Sequence, residues 1–252
     1  MKPWKLQHIT QREVRENRYQ VAILPIGACE PHNYHLPYGT DNYESRSIAE
    51  GAAEIAWKQG AKVVVLPTVP FGVNTGQLNL RLAINMNPST QFAVLSDIAS
   101  AISQQGVRKL LVLNSHGGND FKQMIRELQP RVNLFICTIN WWTCVKGTDY
   151  FDEPGDHAGE METSMMMVLE PDLLLPLSEA GPGKAKKFRV AGLREGWAWT
   201  PRQWSKVTSD TGTGNPAAST QAKGEKFIRA VTEKIGGFLV DLAKADPDNM
   251  YE

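Results

Sequence analysis

The chain has 252 residues, a length that one α/β domain commonly reaches, and we expect a single domain over residues 1–252. Apolar residues make up 42% of the chain, which is enough for a buried core and excludes global disorder. The 27 Lys and Arg balance the 27 Asp and Glu, so the net charge of 0 gives no electrostatic reason to bind nucleic acid or an anionic membrane.

The N-terminus and the cysteines predict a cytoplasmic protein. Residues 1–17 have no apolar stretch of the kind found in signal peptides. No later run approaches the ~18 apolar residues of a membrane-spanning helix. The three cysteines (Cys29, Cys137 and Cys144) cannot all pair within one chain, which favours a reducing compartment over a disulfide scaffold.

Short apolar runs alternate with amphipathic segments along the chain. The apolar runs, of which VAILPIG is the first, are typical of strands buried on both faces. They predict strands over residues 21–27, 61–67, 109–115 and 132–140. The amphipathic segments predict helices over residues 42–59, 88–106, 118–128, 160–169 and 217–243. This alternation predicts an α/β fold, a three-layer sandwich with a mainly parallel central sheet flanked by helices.

Polar residues collect where the predicted strands end. In parallel α/β sheets, ligands bind beyond the carboxyl ends of the strands. Four of the five histidines fall in these loops, together with several carboxylates. The residues concerned are Glu30, His32, His35 and Asp41 after the first strand, His116 after the third, and Asp156, His157, Glu160 and Glu162 after the fourth.

The first of these loops has the donor types of a metal site. Glu30 and His32 are two residues apart, so in extended backbone both side chains face the same way. Asp41 follows a turn that contains Pro37 and Gly39, which can fold the chain back towards the pair. Carboxylates with imidazoles suit Zn, Mn or Fe, and shared carboxylates suit two ions ~3.5–4 Å apart. A lone Glu-x-His would be an ordinary surface loop, but the neighbouring loops favour the metal site.

The remaining candidate ligands leave one choice open. His116 precedes two glycines, which give its ring room to turn towards a ligand. A helix that begins at His157 would place Glu160 on the same face as the histidine and turn Glu162 away. A helix that begins nearer Glu160 would remove that objection. Spacing alone therefore does not choose between the two glutamates.

Three blocks of the sequence resemble the creatininase (creatinine amidohydrolase) family. The blocks are LPIGACEPHNYHLPYGTD, LVLNSHGGND and DHAGEMETSMMM, and their order and spacing agree with the family over residues 20–245. The resemblance implies a parallel sheet between helix layers, a homohexamer, and metal-dependent hydrolysis of non-peptide or unusual amide C–N bonds. It implies that Asp41 bridges two ions and that His157 is the acid/base. The ligands that it implies are Glu30, His32, Asp41, His116 and Glu162.

Departures from the family pattern bear on the substrate. The family has a glutamate ligand two residues after the histidine of the middle block, where this chain has Gly118. This difference argues against creatinine as substrate and favours Glu162 as the substitute ligand. Creatininases also have a gating tryptophan at the position of Trp142, which favours a substrate wall over core packing for this residue. Gly117 and Gly118 complete the predicted substrate-binding set.

The predicted function is that of a metal-dependent amidohydrolase with two divalent ions, Zn first and Mn or Fe as alternatives. A metal-bridging hydroxide would attack the carbonyl of a cyclic amide or formamide, a small-molecule substrate, with His157 and Glu162 as catalytic residues. One alternative is a cysteine hydrolase with Cys29 as nucleophile and His32 as base. The other is a catalytically silent metal- or ligand-binding protein on the same fold. KAKK (184–187) is interpreted as a solvated charge run.

The stretch from about residue 174 to 215 has little periodicity and is interpreted as a functional excursion. It contains Trp197, Trp199 and Trp204, which a monomer would find hard to bury. Aromatic residues are enriched at interfaces, and the family forms hexamers, so we expect a homohexamer with residues 190–205 at or beside a subunit contact. The alternative is that the excursion folds over the active site as a lid.

Overall fold

The fold is built around a four-stranded parallel sheet. The structure is a computed structural model that describes residues 2–252, so Met1 of the predicted domain lies outside the described residues. The strands are β1 (Val21–Ile26), β2 (Val63–Val65), β3 (Lys109–Asn114) and β4 (Phe135–Asn140). Their order in the sheet is β2-β1-β3-β4, and every pair is parallel. The single-domain organisation stays a prediction.

Helices lie against both faces of the sheet, as predicted. The α-helices of residues 2–252 are α1 (Gln11–Glu16), α2 (Thr40–Lys58), α3 (Pro88–Gln104), α4 (Lys122–Leu128), α5 (Glu160–Leu169), α6 (Ala191–Glu195), α7 (Trp204–Val207) and α8 (Gln221–Lys244), of which α2, α5 and α8 cover one face and α3 and α4 the other. Ile23 packs in one core with residues of α2, α5 and α8. Its neighbour Leu24 packs in the other core with residues of α3 and α4. Because successive strand residues face opposite sides, one apolar strand such as VAILPI supplies both cores.

A second, two-stranded sheet was not predicted. It pairs β5 (Gly155–His157) with β6 (Thr213–Gly214) in antiparallel fashion. Both strands are very short and polar, so they lack the apolar alternation by which a strand is recognised. A Cβ added to Gly155 would lie 2.6 Å from Cα of Gly214, so the close approach of the two backbones needs glycine there. The sheet fixes the strand that carries His157.

Several predicted boundaries differ from the structure. The helix predicted over residues 118–128 begins at Lys122, because the preceding residues form the turn that follows His116. The strand predicted over residues 132–140 begins at Phe135, and the helix predicted over residues 217–243 begins at Gln221. The excursion, expected to be irregular, contains α6, α7 and β6. The three cysteines are free. Within residues 2–252, no helix has the length and apolar character needed to cross a membrane.

Candidate metal centre

The loop after β1 turns Glu30 and His32 into the interior. The Glu30 backbone N–H donates to the Tyr38 carbonyl, 3.1 Å away, which closes the loop on itself. Glu30 is 1% exposed and His32 is 0% exposed. The loop then leads directly into α2, whose first turn contains Asp41. A carboxylate in the first turn of a helix is favoured by the helix dipole.

Asp41 lies between two imidazoles. Its Oδ1 atom is 3.2 Å from Nε2 of His32, and its Oδ2 atom is 3.1 Å from Nδ1 of His116. The same Nδ1 atom of His116 is 2.8 Å from Oε1 of Glu30. The loops after β1 and β3 thus meet at Asp41, as the ends of neighbouring parallel strands should.

Backbone carbonyls orient each of the three histidine rings. His32 donates through Nδ1 to the Glu30 carbonyl at 3.0 Å, and His116 donates through Nε2 to the Val73 carbonyl at 3.1 Å. His157, on β5, donates through Nε2 to the Pro31 carbonyl at 2.9 Å. The second nitrogen of each ring faces the carboxylates. Such outer hydrogen bonds fix the tautomer that a metal ligand requires.

Glu160 and Glu162, between which the sequence did not choose, have different surroundings. Helix α5 begins at Glu160, so the objection to Glu162 does not apply. Glu160 pairs with Lys223 and accepts hydrogen bonds from the backbone N–H groups of Asp152 and Glu153, at 2.9 and 2.7 Å. Glu162 instead shares a cluster with His32 and Asp41 and accepts a hydrogen bond from the Ala158 N–H.

The donor atoms form three triads, two of which share Asp41. Within each triad, one donor atom from each residue lies within 4.8 Å of the others. The triads are Glu30–Asp41–His116, His32–Asp41–Glu162 and Glu30–His32–His157. The buried Oδ2 atom of Asp41 has no hydrogen-bond partner, an unsatisfied state that a bound cation would relieve. Buried carboxylate oxygens beside imidazole nitrogens are donors that fit Zn, Mn or Fe.

The electrostatics of the cluster are those of closely packed opposite charges. Burial opposes ionisation of Glu30, but His116, His157 and His32 outweigh it and hold the pKa of this carboxyl far below its usual value. Burial would lower the pKa of His32, but Asp41, Glu162 and Glu30 raise it to about 10. Buried groups that shift one another's pKa values in this way are typical of functional sites.

The pKa values of Glu162 and His157 shift in the opposite directions to those of Glu30 and His32. Burial raises the pKa of Glu162 to about 7, although His32 opposes the increase. Burial, together with the nearby His32, lowers the pKa of His157 to about 4. A neutral imidazole is the form that can accept a proton.

Gly118 has a packing role that the sequence did not reveal. A Cβ at this position would lie 2.2 Å from the Val73 carbonyl oxygen and 2.5 Å from Nε2 of His116. A glutamate here would therefore displace the hydrogen bond that orients His116. The Val73 backbone occupies the space beside the His116 ring.

Two buried residues of the site were missed from the sequence. Gln77 is 1% exposed and donates from Nε2 to the second oxygen of Glu30. Glu44 is fully buried in α2, and neither of its carboxyl oxygens has a hydrogen-bond partner. Burial, with Glu162 and Asp41 nearby, raises its pKa well above the usual value. Its spacing of three residues from Asp41 on one helix could have indicated Glu44, whereas no local signal indicated Gln77.

The predicted substrate residues lie around two cavities that meet at the cluster. An inner cavity of about 310 Å³ is lined by Glu30, Asp41, Gly117, Trp142 and Glu162 among others. An outer cavity of about 670 Å³ is lined by Gly117 and Gly118 and by much of the excursion. Trp141 and Trp142 both line the inner cavity. Trp141 is buried and donates to Ser115 Oγ at 2.7 Å, and Trp142 is partly buried against the same core.

The three tryptophans of the excursion have different environments. Trp204 packs edge-on against His157, with ring centroids 4.7 Å apart. Trp197 and Trp199 are 78% and 84% exposed. Trp199 and Trp204 line the outer cavity, as the lid alternative expects, while the exposure of Trp197 and Trp199 leaves both rings available for a subunit contact.

A parallel sheet between helices, with buried carboxylates and imidazoles at its carboxyl edge, defines an α/β protein with a candidate dinuclear metal site. The sequence model of the creatininase family, described as creatinine amidohydrolase, matches residues 7–239. The chain therefore belongs to the creatininase family, in which its relatives include hydrolases that act on amide C–N bonds.

Curated relatives show the range of the family. Creatinine amidohydrolase of Pseudomonas putida is 24% identical over 176 residues, which cover 61% of this chain and 66% of that protein, just under two thirds. The mycofactocin precursor peptide peptidase of Mycolicibacterium smegmatis is 24% identical over 246 residues, covering 90% of this chain and 86% of that protein. The family thus includes a peptidase, which is broader than the non-peptide chemistry expected.

Solved structures agree with the fold. The crystal structure of a Bacteroides fragilis protein, described as a candidate creatinine amidohydrolase, has a TM-score of 0.94 and 44% identity, with 100% of both chains covered. Creatininases in a Zn–Zn form and a manganese form have TM-scores of 0.80 and 0.79 at 20% and 18% identity, covering 97% and 96% of this chain and 100% and 99% of theirs.

Proposed function

We propose that this protein is a dinuclear metal amidohydrolase that cleaves a small cyclic amide or formamide. The observation that carries the proposal is the position of Asp41, whose two oxygens face different imidazoles and which belongs to two donor triads. A single carboxylate shared in this way is what a two-ion site requires.

The residues that would hold the ions divide into two sets around Asp41. Glu30 and His116 complete one set, and His32 and Glu162 complete the other. Zinc is the first expectation, with manganese or iron as alternatives, and the related creatininases described above include zinc and manganese forms. When bound, such ions polarise an amide carbonyl and make a water molecule more acidic.

His157 would carry the proton. Its Nε2–H is committed to the Pro31 carbonyl, so the unprotonated Nδ1 faces the cluster and lies 3.8 Å from Oε1 of Glu30. Nδ1 would accept a proton from the attacking water and pass it to the amide nitrogen as the C–O bond forms and the C–N bond breaks. Asp156, which precedes His157 in the chain, pairs with Arg202 and Thr213.

The cysteine alternative has less support. Burial, with Glu30 and Asp41 nearby, raises the pKa of the Cys29 thiol, which keeps it protonated at neutral pH. His32 cannot serve as its base because its nitrogens face the Glu30 carbonyl and Asp41. The silent binding protein remains a candidate that only turnover distinguishes from an enzyme.

The test is turnover with controlled metal content. Purified protein is stripped with a chelator, reloaded with zinc or manganese, and screened against cyclic amides and formamides. The proposal expects activity that disappears on stripping and returns on reloading. Hydrolysis that persists in metal-free protein would contradict it, and metal binding without turnover on any amide would favour the silent protein. Hexameric assembly and a cytoplasmic location stay predictions.

A further inference from the structure

The outer cavity above the candidate metal centre has a basic wall. Its floor contains Glu30, His116 and His157, and its opposite side is residues 185–207 of the excursion. Four cationic side chains line this side, and we call them the basic rim. They are Lys186, Lys187, Arg194 and Arg202.

The charges around this cavity do not balance. The acidic residues that line it are Glu30, which belongs to the candidate metal site, and Asp156. Asp156 is paired with Arg202, whose NH2 atom lies 3.0 Å from Oδ2 of the carboxylate. The ion pairs of this region, within residues 2–252, leave Lys186 and Lys187 without a carboxylate partner. The mouth of the cavity therefore carries uncompensated positive charge, although the whole chain is neutral.

Backbone contacts hold the rim in place over the floor. The Lys186 N–H donates to the Val207 carbonyl at 2.8 Å and ties the two ends of the segment together. The Arg194 guanidinium donates to the carbonyls of Phe188 and Arg189 at 3.1 and 3.2 Å. The backbone that carries the rim and the Arg194 guanidinium are thus fixed relative to the site, whereas the Lys186 and Lys187 side chains are exposed at the cavity.

Aromatic side chains lie beside the rim. Phe188, Trp199 and Trp204 line the same cavity, and Trp204 contacts His157. Arg202 stacks over the Trp204 ring at 4.7 Å and also lines the inner cavity. A ligand that reaches the donor triads through the outer cavity would therefore contact a cation and an aromatic face.

We propose that the basic rim binds an anionic group, a carboxylate or a phosphate, on the amide substrate. This inference rests on the proposed function and gives its substrate class: a small amide whose anionic end lies at the rim while the amide reaches the inner cavity. Lysine and arginine are the side chains that bind carboxylates and phosphates, and cavities of this size suit small molecules. The KAKK run, interpreted above as solvated, thus supplies two substrate-binding lysines.

The experiment compares three benzamides that differ at one end. N-benzoylglycine carries a carboxylate, the phosphate ester of N-(2-hydroxyethyl)benzamide carries a phosphate, and N-(2-hydroxyethyl)benzamide is neutral. Binding is measured by isothermal titration calorimetry in zinc-loaded and metal-stripped protein, so no turnover is needed. We expect at least one anionic probe to bind more tightly than the neutral one, and the preference to fall with added salt. The stronger anionic probe identifies the group.

Charge reversal tests whether the rim is responsible. The double variant Lys186→Glu/Lys187→Glu should weaken anionic binding about tenfold and leave the neutral probe unchanged. Lys206→Glu is the matched control, because Lys206 belongs to the same segment and does not line the cavity. The far-ultraviolet circular dichroism of both variants should equal that of the parent.

Three results would overturn the inference. The first is that neither anionic probe binds more tightly than the neutral one. The second is that the double variant and Lys206→Glu have equal effects. The third is an anion preference that vanishes on metal removal and ignores charge reversal, since the ions alone would then recognise the anion. Failure of the proposed function has a separate signature, namely no stoichiometric metal with the anion preference intact.

Discussion

Asp41 Oδ2 lies 3.1 Å from Nδ1 of His116, while the other oxygen of the same carboxylate faces a histidine of a different loop. The helix that carries Asp41 and the strand that precedes His116 are separate elements, so this relationship joins two parts of the fold at one side chain. Removing that side chain should therefore affect both of the donor triads that contain Asp41.

Asp41→Ala should lose one or both of up to two divalent ions per chain. The reason is that the remaining donors are too few to close two sites without a shared carboxylate. Inductively coupled plasma mass spectrometry of protein grown with zinc and manganese measures the content. Asp97→Ala, an exposed residue of α3, is the control and should keep the parental metal content. A parent protein with no stoichiometric metal would sink the central proposal.

Substitutions of the two glutamates of α5 should have different effects, one on metal binding and the other on stability. Glu162→Gln should lower occupancy at one site, because Glu162 shares a triad with His32 and Asp41. Glu160→Gln should keep both ions but lower the free energy of unfolding by about 1–3 kcal/mol, because its buried carboxylate pairs with Lys223. Metal analysis and urea denaturation of each variant give the two readouts. The reverse pattern would show that the assignment within α5 is wrong.

Cys29→Ala should leave amide hydrolysis within about twofold of the parent, since a protonated thiol without a base is a poor nucleophile. Steady-state rates before and after chelation measure this. The chelator should abolish activity in both proteins. Activity that is lost in Cys29→Ala while metal content is intact would favour the cysteine mechanism.

Creatinine should be a poor substrate, turned over at below about 1% of the rate on the preferred amide. Gly118 stands where creatininases have a ligand, and the Val73 carbonyl fills the space beside it. Enzymes commonly turn over about 1–1000 times per second, so this threshold is measurable by assaying creatine formation. Brisk creatine formation by zinc- or manganese-loaded protein would contradict the expectation.

The protein should assemble into a closed homo-oligomer, with six chains as the expected number. Trp197 and Trp199 are exposed in the single chain, and large exposed aromatic groups commonly mark contacts. Light scattering at micromolar concentration should report a mass well above the 28.0 kDa of one chain. Trp199→Ser should shift the distribution towards smaller species, whereas a parent mass near that of one chain would exclude the assembly.

The sequence by itself determined the parallel sheet and the order of the candidate ligands along it. Apolar runs such as residues 21–26 and 109–114 form strands because their local composition leaves few alternatives, and parallel topology brings their carboxyl ends together. The grouping of Glu30, His32 and Asp41 could also be predicted from the sequence, because all three lie within twelve residues.

Only the tertiary structure decided relationships between residues far apart in the chain. Lys223, which engages Glu160 and so separates it from Glu162, lies 63 residues further along. Gln77 meets Glu30 across 47 residues, and the β5–β6 pair brings His157 beside Thr213. Local patterns determine local conformation, but the distance between two loops is set by the packing of whole layers. The same packing turns Lys186 and Lys187 from an apparently solvated run into the wall of a cavity.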